Sequence, residues 1–394
     1  MQPLKDRTAI TGVGWSAFTK ASGTTPMGLA AQASLNAIDD AGLSVKDIDG
    51  IVTFRYGRAP RSEVYPEELM HAIGIEDLSY QVFSNLGGSE PCSVVTTAAT
   101  AVLAGVCKNV LVFYSGNGRS ERLSSLRDMP MGVAGARQLE YAYGAVNAAT
   151  LFGRPVMAHM AKYGTTNLDM AHVAVSQRQH AMLNTKAMMR KPLTVEEHQA
   201  SPWIVHPFRL FDTCLQSDGA VALVISSAEQ ARDLRQAPVY IMAASGSADT
   251  RSIPWETGCQ KASSKLYAAA GITSQDVDLA ELYDPFTGIC LLHIEGFGLA
   301  PKGEGAAWVK DGNNGLDGST PVNTHGGLLS EAHIHGLNAI AEAVQQLRPS
   351  GVVDDLCEGS HDYDRSRCRQ VRNPRIGLVC GESGASALLL RSSQ

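Results

Sequence analysis

The stretch Ala41-Gly42-Leu43-Ser44-Val45-Lys46-Asp47-Ile48-Asp49 decides the fold, because a counterpart of it occurs later in the chain. Residues 270–278 read Ala-Gly-Ile-Thr-Ser-Gln-Asp-Val-Asp, so the same or similar residue types recur in the same order. In each copy a helical pattern of small residues ends at the glycine, a natural C-terminal stop, and a strand pattern follows. The repeat predicts two similar halves built from strands and helices in alternation.

A second pair of stretches supports this duplication. Residues 218–224, Asp-Gly-Ala-Val-Ala-Leu-Val, resemble residues 383–389, Ser-Gly-Ala-Ser-Ala-Leu-Leu. Two matching blocks in the same order make a chance similarity of Ala-Gly turns improbable, and the strands read as apolar runs typical of sheets covered on both faces. We therefore expect an α/β fold of duplicated βαβαβ halves in five layers, α/β/α/β/α. The N-terminal half spans residues 1–235, with an inserted region at about 116–206, and the C-terminal half spans 236–394.

Composition excludes several functional classes. The 394 residues are 44% hydrophobic and 18% charged, which is typical of a globular protein with a large core. The net charge of -6 and the lack of a Lys/Arg tract argue against nucleic acid. No run of about 18 apolar residues suggests a membrane span, and the N-terminus has no apolar signal core. Eight scattered cysteines without a CxxC motif predict reduced thiols, no metal site and a cytoplasmic location.

The candidate site lies between Glu281 and Gly336. It opens with Glu281-Leu-Tyr-Asp-Pro-Phe286, where an apolar strand ends on a phenol, and closes with Asn323-Thr-His-Gly-Gly327 and His333-Ile-His-Gly336. Imidazoles and phenols carry protons, and a Gly-Gly pair lets backbone approach a ligand closely. The alternative is a loop with surface histidines, but the coincidence of Tyr283, His325 and His333 at element ends favours a site.

The duplication gives one further signal. Phe54 occupies in the first half the place that Tyr283 occupies in the second. A phenol where the twin carries a plain ring indicates that the hydroxyl serves chemistry or a buried hydrogen bond.

These motifs together resemble the thiolase superfamily over nearly the whole chain. The residues concerned are the Ser217-Asp-Gly-Ala220 turn, the Asn323-x-x-Gly-Gly327 segment with His333-x-x-Gly336, and Met160-x-x-Tyr-Gly164. The pattern is most similar to the sterol-carrier-protein-type thiolases and their non-thiolase relatives. The resemblance implies a tight homodimer.

One departure from thiolases concerns the nucleophile. A thiolase carries its reactive cysteine at the start of the helix that here begins near Ser89, because a helix N-terminus stabilises a thiolate. The alignment puts Gly88 on that position, and Cys92 lies one turn further in, where we expect a buried thiol. Ser89 is expected to be the N-cap, with exposure of its hydroxyl to substrate as the alternative. Acyl transfer through a covalent cysteine is therefore expected to be lost.

The other departure concerns the Tyr283-Asp-Pro-Phe286 motif. Thiolases of this branch carry His-Asp-x-Phe there, and the tyrosine form resembles the thiolase-like aldolases of bacterial steroid side-chain degradation. Those enzymes cleave a β-hydroxyacyl-CoA by retro-aldol chemistry, releasing a ketone or aldehyde and a shorter acyl-CoA. A second tyrosine tends to occupy the position of His333 in that subgroup, whereas this chain keeps the histidine of the thiolase His-x-x-Gly motif.

Retro-aldol cleavage needs a base for the β-hydroxyl proton, donors for the thioester enolate and an acid for the carbanion. Tyr283 and His333 are the candidates for proton transfer. With a free pKa of about 6.5, an imidazole suits the base, and a phenol with a free pKa of about 10 suits an acid or orienting group. We expect His333 to be the base, with the reverse assignment open. A buried phenol that caps a strand end is the non-catalytic alternative for Tyr283.

Several other residues are candidates for contact with the substrate. His325 is a candidate donor to the thioester oxygen, with the backbone N–H groups near Gly88 and Ser89 as the other oxyanion donors. Asn323 is expected to fix its own turn rather than to touch substrate. We expect His335 to point to solvent, with an orientation into the site as the alternative.

Residues 379–381, Val-Cys-Gly, correspond to the Cys-x-Gly motif that supplies the second catalytic thiol of thiolases. The alignment leaves either Val379 or Cys380 in the position of that thiol, beside Gly381. If it is Cys380, the thiol is a proton donor to the enolate. The alternative is a core cysteine at a strand end.

The resemblance also implies the ligand and the partners. CoA is expected as part of the substrate, with no separate cofactor, although no Gly-rich phosphate loop is present. The basic residues of the middle region, Arg178, Lys186, Arg190 and Lys191, are interpreted as a solvated face rather than a nucleotide site. A small DUF35 companion with an OB-fold and a zinc ribbon is expected on a homodimeric core. The remaining alternatives are an acyltransferase that uses another thiol and a non-catalytic subunit.

Overall fold

The computed structural model describes residues 4–55, 64–85, 87–121, 137–247 and 257–394. The strands are β1 (Thr8–Trp15), β2 (Gly50–Phe54), β3 (Tyr80–Ser84), β4 (Asn109–Asn117), β5 (Trp203–Val205), β6 (Phe208–Arg209), β7 (Asp218–Ser227), β8 (Val239–Ser245), β9 (Leu279–Leu282), β10 (Ile376–Cys380) and β11 (Ala387–Arg391). The helices are α1 (Pro26–Ala41), α2 (Pro66–Ile73), α3 (Pro91–Leu103), α4 (Arg137–Ala142), α5 (Ala148–Tyr163), α6 (Asn167–Met182), α7 (Val195–Ala200), α8 (Ala228–Ala231), α9 (Cys259–Ala270), α10 (Thr287–Gly296), α11 (Gly305–Lys310), α12 (Gly327–Ser330) and α13 (Leu337–Leu347). Across the described ranges, no helix combines the length and the apolar character needed to cross a membrane.

Nine strands form one mixed sheet in the order β3-β2-β4-β7-β1-β8-β11-β10-β9, and β5 pairs with β6 in a separate hairpin. The first five strands of the large sheet come from the N-terminal half of the chain and the last four from the C-terminal half. The two sets meet where β1 pairs with β8 through Ala9↔Tyr240 and Ile10↔Val239. The two half-sheets are therefore joined edge to edge by a short junction.

The layers follow from where the apolar faces meet. Apolar residues from both half-sheets pack against α3 and α13 in one core, so these two helices form the central layer. Helices α1 and α2 cover the outer face of the N-terminal half-sheet, while α9 and α10 cover the outer face of the other. The predicted five-layer α/β/α/β/α arrangement is confirmed. The inserted segment adds α5 and α6, which contact α10; its residues 122–136 lie outside the described part.

The repeated sequence blocks have the same local structure. Gly42 and Gly271 both end a helix at a φ of 75°, in the left-handed region that glycine tolerates. Asp47 accepts hydrogen bonds from the backbone and the hydroxyl of Ser44, and Asp276 accepts the equivalent pair from Thr273. Each block therefore turns the chain from a helix into the following strand by the same contacts.

Two element boundaries differ from the sequence-based expectation near the site. Helix α3 begins at Pro91 with Glu90 at its N-cap, so the expectation that Ser89 is the N-cap is wrong. The helix begins at Pro91 because the ring of a proline fits the first helical position. Ser89 instead closes a 3-10 turn over Gly87–Ser89. Strand β9 ends at Leu282, which leaves Tyr283 just beyond the strand.

One pair of cysteines is not reduced. Cys357 and Cys368 form a disulfide that closes a loop in the segment after α13. The expectation of reduced thiols throughout the chain is therefore wrong for this pair. The carboxylate of Asp362 lies within 4.8 Å of both sulfurs and is paired with Arg367 at 3.1 Å.

An ion pair connects the two halves. Arg348, at the end of α13, donates Nη2 to Asp40 Oδ2 of α1 at 2.7 Å and to the carbonyl of Thr11 in β1 at 3.3 Å. The side chain of Arg348 is 6% exposed, and that of Asp40 is 21% exposed. Because water screens such a pair weakly, it contributes to the docking of the C-terminal half on the N-terminal half.

We expect Arg348→Met to lower the free energy of unfolding by about 2–3 kcal/mol, since it leaves the Asp40 carboxylate without its buried partner. Urea denaturation followed by circular dichroism measures this change. The matched control is Arg235→Met, which breaks the ion pair between Arg235 and Asp39. The side chain of Arg235 is 54% exposed and that of Asp39 is 80% exposed. That control is expected to change stability by about 0–1 kcal/mol. Equal losses for the two variants would contradict a role for burial.

Candidate active site

The end of β9 is held in place by Asn323. Leu282 donates its backbone N–H to Asn323 Oδ1 at 2.6 Å, and Asn323 Nδ2 donates to the carbonyl of Leu282 at 3.0 Å. Asn323 itself has a φ of 54° and is fully buried. Its side chain thus reaches the neighbouring strand rather than only its own turn, and it fixes the backbone immediately before Tyr283.

The phenol of Tyr283 lies in a slot between two glycines. A Cβ atom on Gly88 would lie 2.2 Å from Tyr283 Oη, and one on Gly336 would lie 3.0 Å from Tyr283 Cδ2. That Cβ on Gly336 would also lie 3.1 Å from Cγ of Pro91, at the start of α3. The Tyr283 side chain is 3% exposed. The space above Gly88 is therefore filled by the phenol, and no side chain at position 88 can share it.

Tyr283 and His333 form the hydrogen-bonded pair of the site. The distance between Tyr283 Oη and His333 Nε2 is 3.1 Å. Burial lowers the pKa of His333 to about 4, so the ring is neutral at neutral pH and one nitrogen can accept a proton. The backbone N–H of His333 donates to Ser217 Oγ at 3.0 Å, which ties this loop to the Ser217-Asp-Gly-Ala220 turn. The structure brings together the two residues predicted to transfer protons.

Cys214 extends this pair and was not anticipated from the sequence. Its Sγ lies 3.5 Å from Nδ1 of His333, on the opposite side of the ring from Tyr283. Burial raises the pKa of the Cys214 thiol to about 12, so the sulfur is protonated at neutral pH. The residue stands in a short loop before β7 without a recognisable motif. Only the fold, which brings positions 119 residues apart into contact, reveals it.

His335 points inward. Its ring centroid lies 4.3 Å from that of His333 and 4.8 Å from that of Tyr114, and the residue is 6% exposed. The expectation that His335 points to solvent is therefore wrong, because its backbone turns through a φ of 48° and directs the ring to the interior. Burial lowers the pKa of His335 well below the ordinary value, and His333 lowers it further.

His325 lies apart from this pair. The residue is 1% exposed, and its ring faces two carboxylates, Glu281 Oε2 at 2.8 Å from Nδ1 and Glu331 Oε2 at 3.8 Å from Nε2. The ring nitrogens of His325, predicted to donate to the thioester oxygen, thus both face buried carboxylates. Neither carboxylate was singled out from the sequence, although a charged residue inside an apolar run was the available signal.

The turn at Gly88 and Ser89 packs against the turn that follows β10. A Cβ atom on Gly381 would lie 3.0 Å from the carbonyl oxygen of Gly88, and Ser386 Oγ donates to the carbonyl of Ser89 at 2.6 Å. The backbone N–H of Gly381 donates to the carbonyl of Ser386 at 2.8 Å. Gly88, Ser89 and Gly381 therefore lie together at the N-terminal end of α3.

Cys380 is directed to the other face of the sheet. Its Sγ lies 3.6 Å from Nδ1 of His293, on α10, while Val379 faces the central helices and its carbonyl accepts from Cys92 Sγ at 3.6 Å. The alternation along β10 thus places Val379, not Cys380, on the face that carries the Tyr283 phenol. Cys92 is fully buried, as expected.

Two of the four basic residues of the middle region, Arg178 and Lys186, do not lie on a solvated face. Arg178 is 5% exposed and donates to Ser330 Oγ and to the carbonyl of Lys191, and the Lys186 ammonium lies 4.8 Å from the centroid of the Trp15 ring. The expectation of a solvated face is wrong for these two, because the fold uses both inside the molecule. Arg190 and Lys191 are exposed, as expected.

A further residue of the Tyr283-Asp-Pro-Phe286 motif has a structural role. Asp284 is 1% exposed and accepts hydrogen bonds from the backbone of Leu328 at 2.9 Å and Leu329 at 3.4 Å, at the start of α12. Burial raises the pKa of this carboxyl to about 7. Asp284 thereby joins the Tyr283 segment to the loop that leads to His333.

The chain is similar to known proteins over most of its length. The family profile described as "Thiolase C-terminal domain-like" matches residues 243–388. The chain is 38% identical over 365 residues to a 17-hydroxy-3-oxo-4-pregnene-20-carboxyl-CoA lyase of Mycobacterium tuberculosis, covering 89% of this chain and 93% of the relative. It is also 38% identical over 374 residues to a steroid side-chain-cleaving aldolase of Thermomonospora curvata, with the same coverage of 89% and 93%. The solved structure of an Ltp2-ChsH2(DUF35) aldolase superposes with a TM-score of 0.86 at 34% identity and covers 99% of both chains.

The duplicated five-layer fold and the glycine at the nucleophile position define a non-thiolase member of the thiolase superfamily. With the identity and coverage of these relatives, the chain belongs to the thiolase-like aldolases, which are carbon–carbon lyases.

The arrangement can move a proton, while the one thiol in the first turn of α3, that of Cys92, is fully buried and donates to the carbonyl of Val379 at 3.6 Å. The phenol of Tyr283 and the neutral ring of His333 share a hydrogen bond beside the N-terminal end of a helix of 13 residues. A helix N-terminus stabilises negative charge. Proton transfer next to a developing oxyanion is the chemistry that these groups support.

We expect a double-mutant cycle to show that a side chain at position 88 and the phenol of Tyr283 exclude each other. Gly88 has no positive φ, so alanine fits the backbone and only the phenol stands in its way. Gly88→Ala should lower the free energy of unfolding by about 1–3 kcal/mol through overpacking. In a Tyr283→Ala background the same substitution should change it by less than about 0.5 kcal/mol. Urea denaturation measures both values, and equal penalties in the two backgrounds would show that the phenol does not fill this space.

Proposed function

We propose that the protein catalyses retro-aldol cleavage of a β-hydroxyacyl-CoA. The observation that carries the proposal is the hydrogen-bonded pair of Tyr283 and His333 over Gly88. In this reaction the β-hydroxyl loses its proton and becomes a carbonyl. The bond between Cα and Cβ breaks, its electron pair forms the thioester enolate, and the enolate takes up a proton at Cα. A ketone or aldehyde and a shorter acyl-CoA leave, so atoms and charge balance without a redox cofactor.

His333 acts as the base in this proposal. Its low pKa keeps Nε2 unprotonated and able to accept a proton, directly or through the Tyr283 hydroxyl at 3.1 Å. For Nε2 to accept a proton, Nδ1 must carry the ring hydrogen. The Nδ1–H group then donates a hydrogen bond to the sulfur of Cys214. After cleavage, the protonated pair returns the proton to the carbanion through the phenol. The same contacts also support the reverse assignment, in which Tyr283 meets the β-hydroxyl and His333 receives the proton from it.

The start of α3 stabilises the enolate. The helix axis directs the positive end of its dipole toward Gly88 and Ser89, beside the Tyr283 hydroxyl. Backbone N–H groups at such a helix start suit a thioester oxygen that becomes negative. In this proposal CoA enters as part of the substrate, and no other cofactor takes part.

The acyl group is proposed to be bulky and polycyclic. The support is that two relatives with 38% identity are named for steroid acyl-CoA cleavage.

The protein is proposed to act as a homodimer with a DUF35 companion. The solved aldolase with a TM-score of 0.86 is named together with a DUF35 protein, ChsH2. Strand β3 ends the sheet order on one side, and edge strands offer backbone groups for pairing with another chain. Both points support assembly, and activity assays should therefore use protein co-expressed with its companion.

Cys214 favours one alternative function. A thiol at 3.5 Å from an imidazole resembles the pairs that activate sulfur nucleophiles, so an acyltransferase that uses Cys214 is the second candidate. Its raised pKa, about 12, opposes that function because the thiol rather than the thiolate predominates.

Three variants separate these functions. We expect Tyr283→Phe and His333→Gln each to lower kcat for cleavage of a β-hydroxyacyl-CoA by about 10²–10⁴, the usual contribution of general acid–base catalysis. Cys214→Ala removes the acceptor for His333 Nδ1 but neither of the two proton-transferring groups, so kcat should stay within about tenfold. The carbonyl product is quantified by mass spectrometry. Loss of all turnover in Cys214→Ala, with the other two variants active, would favour acyl transfer.

The pH dependence tests the state of His333. Because its pKa is lowered to about 4, the ring stays neutral and able to accept a proton well below pH 6.5. We expect kcat/KM to stay level between pH 8 and roughly 5.5 and to fall as the pH decreases through about 4. Circular dichroism at each pH, with recovery of activity at neutral pH, separates titration from unfolding. A half-maximal loss near the free imidazole value of about 6.5 would contradict the assignment.

A further inference from the structure

His325 occupies a buried position between two chain segments that meet at the site. Its ring contacts the carboxylates of Glu281 and Glu331 at 2.8 and 3.8 Å. All three side chains are at most 2% exposed. The ring N–H groups do not point straight at either oxygen, so the contacts are ion pairs rather than aligned hydrogen bonds. Charge therefore dominates this contact.

Each carboxylate lies two residues before one member of the catalytic pair. Glu281 precedes Tyr283 at the end of β9, and residues i and i+2 of an extended segment share one face. Glu331 precedes His333 in the loop after α12. The imidazole of His325 therefore spans the two backbone segments that set the distance between Tyr283 and His333.

The outer ends of both carboxylates are anchored. Glu281 Oε1 accepts from the backbone and the hydroxyl of Thr324 at 3.2 and 2.8 Å. Glu331 accepts from Asn184 Nδ2 at 2.8 Å and from Asn338 Nδ2 at 2.7 Å. These bonds hold each carboxylate in place but do not join the two to each other, and Glu281 Oε2 accepts none of them. His325 supplies that link.

A cation suits this place. Burial alone lowers the pKa of His325, but the carboxylates of Glu331 and Glu281, with a smaller effect from Glu342, outweigh burial and raise it to about 10. The ring is therefore protonated at neutral pH. A neutral side chain would leave two buried carboxylates facing each other, and unpaired buried charge is strongly unfavourable.

We propose that His325 is a positioning residue, a buried cationic bridge between Glu281 and Glu331 that holds Tyr283 and His333 at hydrogen-bonding distance. Its ring is 1% exposed and faces the two carboxylates, so in this proposal it acts through them rather than on the reacting atoms. This inference rests on the proposed function of the same site.

The test compares His325→Gln with the double variant His325→Gln/Glu281→Gln. A displacement of about 1 Å at a reacting pair costs about 10²-fold in rate, so His325→Gln should lower kcat by roughly 10–100-fold with KM changed less than about threefold. The Glu281→Gln substitution keeps the oxygen that accepts hydrogen bonds from Thr324, and it removes the negative charge that faces position 325. The double variant should therefore recover most of kcat. A wild-type kcat for His325→Gln, or no recovery in the double variant, would overturn the proposal.

A second comparison separates positioning from a general structural role. In a Tyr283→Phe background, His325→Gln should lower kcat by less than about twofold, because its effect acts through the phenol. A full additional loss would overturn the proposal. Glu331→Gln removes one arm of the bridge and tests the same idea if His325→Gln does not fold. It should lower kcat at unchanged KM, and a wild-type kcat would overturn the proposal.

The wild-type protein distinguishes failure of this inference from failure of the proposed function. If the wild type, co-expressed with a DUF35 companion, cleaves no β-hydroxyacyl-CoA, the proposed function fails. A crystal structure of His325→Gln then decides the positioning role. We expect the distance from Tyr283 Oη to His333 Nε2 to increase from 3.1 Å to beyond hydrogen-bonding range. An unchanged distance would overturn the bridge.

Discussion

The site depends on a steric exclusion between the phenol of Tyr283 and position 88. The hydroxyl lies where the first side-chain atom of any residue larger than glycine would stand, at the start of α3. Protein interiors are close-packed, so two groups cannot share that space. A proton-carrying phenol and a side chain at position 88 are therefore alternatives. This chain has the phenol, and the absence of a sulfur there follows from the same contact.

The polar interior behind the site explains how the phenol is held. Asn323 fixes the end of β9, and Asp284 ties the segment after it to α12. The ring of His325 pairs with Glu281 of the same strand. Burying charges in this way is costly unless every group is paired. Loss of one of these groups would leave its buried partner unpaired, so it should disturb the position of the phenol and also lower the stability of the fold.

The sequence predicts most of the fold because the duplication leaves a trace in local chemistry. The repeated blocks, residues 41–49 and 270–278, each contain a glycine that ends a helix and an aspartate that caps the following turn. The structure shows both features in both blocks. Tyr283 and His333 were predicted as a pair because motif and residue chemistry agree. Cys214 could not be predicted, since its contact with His333 joins positions 119 residues apart. The inward orientation of His335 depends on a single backbone torsion, which residue type does not determine. The disulfide of Cys357 and Cys368 has no motif that marks it.

The central claim is that carbon–carbon cleavage proceeds by proton transfer, without a sulfur nucleophile. Intact-protein mass spectrometry of enzyme quenched during turnover of a β-hydroxyacyl-CoA tests it most directly. We predict the unmodified mass at every time point, because the phenol of Tyr283 fills the space that a side chain at position 88 would need. An acyl adduct that forms and decays at the rate of turnover, mapped to Cys214 or to any other cysteine, would contradict the account.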